Sequence, residues 1–208
     1  MKLYYSAGSC STACHITLEE SGLKYEAVEV DWDNTSDPNI ALVEKLNPLG
    51  TLPILVTESG KQLDQNIAIQ TYIADLAPDT KLLPTPGTFE RAEAMNWLAF
   101  VSTDLHKSVG AFFSIKGIST DPAVQTIYRK FLIDNANKVL TYLDSKLANK
   151  EYLMGNTFTP ADAYAFIVTG WTQWLDIPIT PYKNIQNFRA RVAARPAVAK
   201  VLKQEGLT

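Results

Sequence analysis

The chain has 208 residues, of which 46% are hydrophobic and 20% are charged, and its net charge is −3. This composition is typical of a globular protein of one or two domains, and the lack of a basic stripe disfavours nucleic acid as a partner. No apolar run approaches the ~20 residues that cross a bilayer, so we expect no membrane partner.

The cysteine and histidine content bears on compartment and metal binding. Cys10 and Cys14 are too few and too close in sequence to staple a secreted fold, so we expect a cytoplasmic location. Together with His15 and His106, they match no zinc-binding spacing, and we expect no metal.

The first predicted elements place a cysteine at the mouth of a helix. A short apolar strand at residues 3–5 leads through small residues to Cys10, and a helical pattern runs from 13 to 21. Free backbone N–H groups and the positive end of the helix dipole stabilise a thiolate at such a position. We therefore expect a reactive Cys10 with a pKa below the ordinary thiol value of ~8.5. The alternative is an inert, buried cysteine, which is what we expect of Cys14.

The rest of the first half reads as a small α/β unit. Apolar alternation and turn residues predict a strand at 26–32, a helix at 39–46, and strands at 51–56 and 62–64. A strand, a helix and a strand joined by short links predict that the first two strands are parallel. A helix then opens at Gln65 and Asn66, and its apolar stripe consists of Ile69, Tyr72, Ile73 and Leu76.

The second half has helical patterns only. Residues 78–87 contain three prolines and a glycine and read as a linker. Helices are predicted at 88–113, 121–147, 163–174, 182–195 and 197–204. Residues 159–162 form a capping box in which Asp162 reaches back to Thr159. The fold class is therefore an α/β domain at 1–77 followed, after the linker, by an all-helical domain at 88–208.

Five segments occur in order along the chain: residues 4–11 (YYSAGSCS), 47–53 (NPLGTLP), 65–69 (QNIAI), 106–107 (HK) and 158–164 (FTPADAY). Together, at these spacings, they resemble the cytosolic glutathione transferases, most closely the bacterial beta class, over the whole chain. The resemblance implies a thioredoxin-like first domain with a mixed four-stranded sheet. It also implies a cytoplasmic homodimer that uses glutathione as co-substrate in detoxification, with no metal.

The resemblance implies a glutathione site in the first domain. Pro53 would follow a cis bond that turns the backbone of Leu52 outward to pair with the peptide. Gln65 and Asn66 would hold the γ-glutamyl end at a helix N-terminus, although Asn66 could be only a helix cap. Tyr5, Ser9, Trp32 and Thr51 would support this site. Many relatives have a lysine in the loop after the second strand, whereas residues 31–37 contain no base here.

Three residues of the second half are candidates for the same chemistry. Thr103, His106, Lys107 and Gly110 are spaced so that they share one helix face. In the family, this face looks into the cleft opposite the cysteine, so that His106 would be a proton donor and Lys107 a charge near the sulfur. Asp104 would reach the partner subunit's glutathione.

The resemblance leaves two chemistries open. The site either activates the bound glutathione thiol for attack on a small apolar electrophile, or Cys10 itself forms a mixed disulfide with glutathione. In the first case Cys10 would donate a hydrogen bond to the thiolate, and in the second it would be the nucleophile of a thiol–disulfide reductase. A non-catalytic binding module of the same fold is a third alternative.

Overall fold

The computed structural model describes residues 1–208 and divides into two compact units. The first comprises Met1–Arg91 and Ala193–Thr208, and the second comprises Ala92–Val192. The C-terminal residues therefore pack with the N-terminal part of the chain.

The first unit is built on a four-stranded mixed sheet. Its strands are β1 (Lys2–Tyr5), β2 (Glu26–Glu29), β3 (Ile54–Val56) and β4 (Gln62–Leu63), in the spatial order β2-β1-β3-β4. β1 and β2 are parallel as predicted, and the other two pairs are antiparallel. The second and third strands are shorter than the sequence predicted. The second strand ends early because the Asp31 N–H donates to the Asp37 carboxylate, at 2.8 Å, and not to a neighbouring strand. The third strand begins only after Pro53, which has no N–H to donate.

Helices cover both faces of this sheet. They are α1 (Ser11–Ser21), α2 (Pro38–Leu46) and α3 (Asn66–Leu76), together with a C-terminal helix at Pro196–Gln204. Alternate residues of β1 enter different cores because successive side chains of a strand point to opposite faces. Leu3 and Tyr5 pack with α1 and α3, whereas Tyr4 packs with Val43 of α2. Of the predicted apolar stripe of α3, Ile69 and Ile73 are buried, whereas Leu76 is exposed.

The second unit is helical throughout. The segment predicted as one helix at 88–113 consists of α4 (Phe89–Phe100), a π-helical turn (Val101–Leu105), α5 (His106–Gly110) and a 3₁₀ turn (Ala111–Ser114). A further short helix that was not predicted, α6 (Ile115–Ile118), follows it. Single π-turns inside helices often occur at functional sites. Because Thr103 lies inside this turn and His106 follows it directly, those two residues do not keep the regular α-helical spacing that was predicted.

Two long helices form the core of the second unit. α7 (Pro122–Leu147) buries its predicted stripe, which includes Leu132, Leu140 and Leu143, and α8 (Pro160–Trp174) is buried on nearly all sides. The predicted capping box at the start of α8 is confirmed, since the Asp162 carboxylate accepts the Thr159 N–H at 2.8 Å.

The last two helices close the chain. α9 (Lys183–Ala193) is followed by the C-terminal helix already described, which we call α10. No helix in either unit combines the length and the hydropathy needed to span a bilayer.

Candidate functional site

Cys10 stands at the end of a tight turn between β1 and α1. The turn is held by its own hydroxyl groups: Ser11 Oγ accepts the Ser6 N–H at 3.0 Å and lies 2.6 Å from Ser9 Oγ. Ser9 Oγ also accepts the Ser11 N–H at 3.2 Å. Ser9 therefore shapes the turn that carries the cysteine.

The Cys10 thiol is partly buried and hydrogen-bonded. Its Sγ donates to the Leu52 carbonyl at 3.6 Å, and its own carbonyl accepts the Asn66 side-chain amide at 2.7 Å. Burial raises the pKa of Cys10 to about 11, although hydrogen bonds from the Asn66 amide and from the backbone N–H of Cys10 act in the opposite direction. The prediction of a lowered pKa was wrong, because desolvation of the thiolate outweighs hydrogen bonding at the helix mouth.

A protonated thiol at this position is a hydrogen-bond donor and a poor nucleophile. At pH 7, a thiol of pKa 11 is ionised in about one molecule in ten thousand. The resting Cys10 is therefore suited to stabilise another group's negative charge.

The loop before β3 presents backbone groups beside Cys10. The Leu52–Pro53 bond is cis, as predicted. Of the two Leu52 groups predicted to be open, the carbonyl is already engaged by Cys10, whereas the N–H has no partner within the protein. Thr51 is exposed, and its Oγ1 accepts the Asn47 side-chain amide at 2.9 Å, which anchors this loop.

The start of α3 lies against the same turn. Gln65 is the exposed N-cap residue and makes no side-chain cap bond, so the alternative of Asn66 as the cap was wrong. Asn66 is the first helical residue and is only 8% exposed. Its amide donates to the Cys10 carbonyl and its oxygen accepts from Gln70. Asn66 therefore joins α3 to the Cys10 turn, while the first N–H groups of α3 remain available to an anion.

Two of the predicted supporting residues differ in their surroundings. Tyr5 is buried in the core, where its ring lies 5.0 Å from that of His15, and burial raises the pKa of Tyr5 to about 12. Trp32 is 40% exposed in the loop that follows β2. Cys14 is fully buried, as predicted, and its thiol donates weakly to the Asn66 carbonyl at 3.8 Å.

Within the second unit, His106 is packed between aromatic side chains. His106 Nδ1 lies 2.5 Å from the Tyr164 hydroxyl, and its ring packs edge-on against Trp171 at 4.8 Å. Burial, with a smaller effect of the Lys107 charge, lowers the pKa of His106, which favours the neutral imidazole. A Cβ at Gly110 would lie 3.0 Å from the His106 ring, so any other residue at this position would press on the imidazole.

Asp104 and Lys107 are exposed in the second unit, in the π-turn and α5 respectively. The carboxylate of Asp104 accepts the Thr103 hydroxyl at 2.7 Å. The roles of His106, Lys107 and Asp104 toward glutathione stay predictions.

Glu205 is a further residue of this site that was not predicted from the sequence. Its carboxylate is fully buried and bonds to Gly8, Thr12 and His15 around the Cys10 turn. No local pattern marks it, since Gly8 and Glu205 are 197 residues apart in the chain.

Comparisons with known proteins cover the whole chain. Residues 1–75 match the family model "Glutathione S-transferase, N-terminal domain", and residues 120–196 match "Glutathione S-transferase, C-terminal domain". Glutathione S-transferase GstA of Escherichia coli O157:H7 is 34% identical over 207 residues, with 100% of both chains covered. The bacterial enzyme BphK, solved as a ternary complex, is 36% identical at a TM-score of 0.90, with full coverage of both chains. A sphingomonad glutathione S-transferase complexed with glutathione is 33% identical at a TM-score of 0.88, also with full coverage.

Proposed function

The chain belongs to the glutathione S-transferase family, and we propose that Cys10 acts in it as a hydrogen-bond donor to the thiolate of bound glutathione. The protein is a glutathione transferase with glutathione as co-substrate, and the electrophile is a small apolar molecule. The observation that supports this role is geometric: the partly buried Cys10 thiol stands at the mouth of α1 and donates its hydrogen to the Leu52 carbonyl at 3.6 Å, and on binding the same S–H would turn to the glutathione sulfur. Burial, which raises the pKa of Cys10 to about 11, keeps this thiol protonated.

The energetic gain of such a bond is sufficient for catalysis. A hydrogen bond to a charged group contributes ~1.5–3 kcal/mol, which is ~1–2 units of thiol pKa at 1.36 kcal/mol per unit. Lowering a thiol pKa from ~8.5 to ~7 raises the ionised fraction at pH 7 from a few per cent to about half. Most of the available activation is then reached.

We assign the glutathione-binding groups to two places in the domain 1–77, which other residues support. The unpaired Leu52 N–H, held beside Pro53 and braced through Thr51, would pair with the peptide backbone. The N-terminus of α3, with Gln65 and Asn66, would receive the γ-glutamyl carboxylate. Ser9 shapes the turn that carries Cys10, Tyr5 supports it from the core, and Trp32 would border the site.

The linker 78–87 and the helical domain 88–208 complete the proposed organisation. In the helical domain, His106 would act as a proton donor, and Lys107 would place a positive charge near the sulfur. Asp104 would reach toward the partner subunit's glutathione. Because burial lowers the pKa of His106, its imidazole would be neutral and would donate a hydrogen bond without carrying a charge.

We also propose a cytoplasmic homodimer. Trp97, Phe100 and Tyr142 form an aromatic cluster with ring separations of 5.1 to 6.5 Å, and Tyr142 is 44% exposed. An aromatic cluster of this kind, left open on one side, is suited to a subunit interface.

The reductase alternative is disfavoured by the same thiol. A nucleophilic cysteine must be a thiolate at working pH, whereas burial keeps Cys10 protonated. The test compares wild type with Cys10→Ala in two assays: conjugation of glutathione to 1-chloro-2,4-dinitrobenzene, and reduction of a glutathione mixed disulfide.

We expect conjugation in wild type, a drop of roughly tenfold at pH 6.5 in Cys10→Ala, and a smaller drop at pH 9, where the glutathione thiol ionises unaided. Disulfide reduction should be weak in both proteins. Strong reduction that disappears in Cys10→Ala would reverse the assignment, and absent conjugation in wild type would refute the function.

A further inference from the structure

Glu205, which follows α10, makes a buried contact with the Cys10 turn. Its side chain is 0% exposed. Oε2 accepts the Gly8 N–H at 3.1 Å and the Thr12 hydroxyl at 2.7 Å, and Oε1 lies 2.8 Å from His15 Nδ1. Gly8 is two residues before Cys10, and Thr12 is two residues after it.

All the donors to this carboxylate come from one short segment. A buried carboxylate is unfavourable unless hydrogen bonds replace its hydration, and here the replacements are spread over residues 8–15. The Glu205 contact is also the only hydrogen bond of the His15 side chain, because His15 Nε2 has no partner. Glu205 therefore ties both sides of the Cys10 turn to one acceptor.

The other links between α1 and α10 do not reach this turn. Arg195 forms a bidentate pair with Glu20 at 2.6 and 2.8 Å, and Lys200 pairs with Glu19. Glu19 and Glu20 lie in the last turn of α1, whereas Glu205 contacts its first turns. The ion pairs of Arg195 and Lys200 therefore contact a different part of α1 from Glu205.

We propose that Glu205 is a positioning residue for Cys10, holding the turn so that the thiol stays beside the Leu52 carbonyl. Its effect on conjugation rests on the proposed function, whereas the restraint of the turn does not. Losing Glu205 would remove the carboxylate that accepts from the Gly8 N–H and the Thr12 hydroxyl, let the turn open, and move the thiol out of its partly buried position.

The test measures Cys10 alkylation by iodoacetamide at pH 8, read by peptide mass spectrometry, and conjugation of glutathione to 1-chloro-2,4-dinitrobenzene. In Glu205→Ala, we expect alkylation at least fivefold faster and kcat at least fivefold lower, with KM for glutathione within twofold. The matched control Glu20→Ala breaks the Arg195 pair without touching the turn, and it should stay within twofold of wild type in both assays.

Glu205→Gln serves as the rescue variant. Its amide oxygen can accept from Gly8 and Thr12, and its amide nitrogen can donate to the other tautomer of His15, so both readouts should return to within threefold of wild type. If Glu205→Ala does not fold, Thr12→Val removes one donor at similar volume and should alkylate at least twofold faster.

Two results would overturn the proposal: alkylation at the wild-type rate in the folded variants that lose a contact, or equal effects of Glu205→Ala and Glu20→Ala. The proposed function fails separately. If alkylation responds as expected but the wild-type protein does not conjugate glutathione, the positioning role stands and the catalytic assignment falls.

Discussion

At the scale of single residues, the environment of Cys10 decides the chemistry. Cys10 and Cys14 both lie near the start of α1, yet Cys10 is partly buried and Cys14 is fully buried. The local sequence does not show this difference in exposure. The helix mouth could be predicted from the strand–turn–helix pattern, and the motif around Pro53 was recognisable. The desolvation that raises the pKa of Cys10 to about 11 comes from packing against distant segments, such as the loop that carries Leu52.

The first prediction concerns the titration of Cys10. Because burial raises its pKa to about 11, alkylation by iodoacetamide in the absence of glutathione should rise about tenfold per pH unit from 7 to 9, with no plateau. Cys14, which is fully buried, should remain unmodified in the folded protein. A plateau below pH 8.5 would mean that the helix N-terminus dominates after all.

The second prediction concerns Asn66. Asn66→Ala removes the amide that supports the Cys10 carbonyl and the acceptor of Gln70. We expect glutathione binding to weaken by ~1 kcal/mol and the free energy of unfolding to fall by ~1–3 kcal/mol, because buried polar groups lose their partners.

Calorimetric titration and urea unfolding of the same preparation separate these two effects of Asn66→Ala. Gln62→Ala is the matched control, since its amide donates at 2.7 Å to the Leu46 carbonyl, away from the Cys10 turn. An unchanged dissociation constant for Asn66→Ala would remove this residue from the site.

At the scale of elements, the pattern of helices and strands was accessible from periodicity, but its interruptions were not. The stripe of α7 and the buried α8 follow from repeated apolar spacing. The π-turn at Val101–Leu105 leaves no such trace, because one extra residue per turn shifts a helix face without changing its composition. Strand ends were missed for a similar reason, since Asp31 leaves the ladder through a side-chain bond to Asp37.

The third prediction concerns the capping box of α8. The Asp162 side chain accepts three hydrogen bonds, from the N–H and hydroxyl of Thr159 and from the Leu153 N–H, each at 2.8 Å. Asp162→Ala should lower the free energy of unfolding by ~2–4 kcal/mol, because all three donors are buried.

Asp121→Ala is the control for this comparison. Asp121 is an exposed N-cap whose side chain accepts only the Ala123 N–H, at 2.8 Å, so its loss should cost ~0.5–2 kcal/mol. Urea unfolding of both variants gives the comparison. Equal losses would show that burial adds nothing to the cap of α8.

At the scale of the whole molecule, contacts between the ends of the chain could not be read from local patterns. The C-terminal helix was predicted as a helix, but nothing in its sequence indicated that Glu205 bonds to Gly8, Thr12 and His15. The family resemblance implied the site motifs, whereas this long-range contact follows only from the tertiary fold.

The fourth prediction concerns the homodimer. Sedimentation should give about 46 kDa, twice the 23.0 kDa of one chain. Tyr142→Glu should shift the equilibrium toward the single chain, because a charge would replace the exposed edge of the aromatic cluster. Phe131→Glu, at an exposed aromatic on the same helix, is the control and should remain dimeric. A single-chain mass for the wild type at micromolar concentration would refute the dimer.

The pKa of the glutathione thiol in the bound state shows whether Cys10 donates a hydrogen bond to that thiol. Thiolate absorbance near 240 nm, recorded against pH for the wild-type complex and the Cys10→Ala complex, reports this quantity. We expect the bound thiol to titrate ~1–2 units below its ordinary value of ~8.5 in wild type, and to return most of the way to that value in Cys10→Ala. Equal thiol pKa values in the two complexes would contradict the role of Cys10 as hydrogen-bond donor to glutathione.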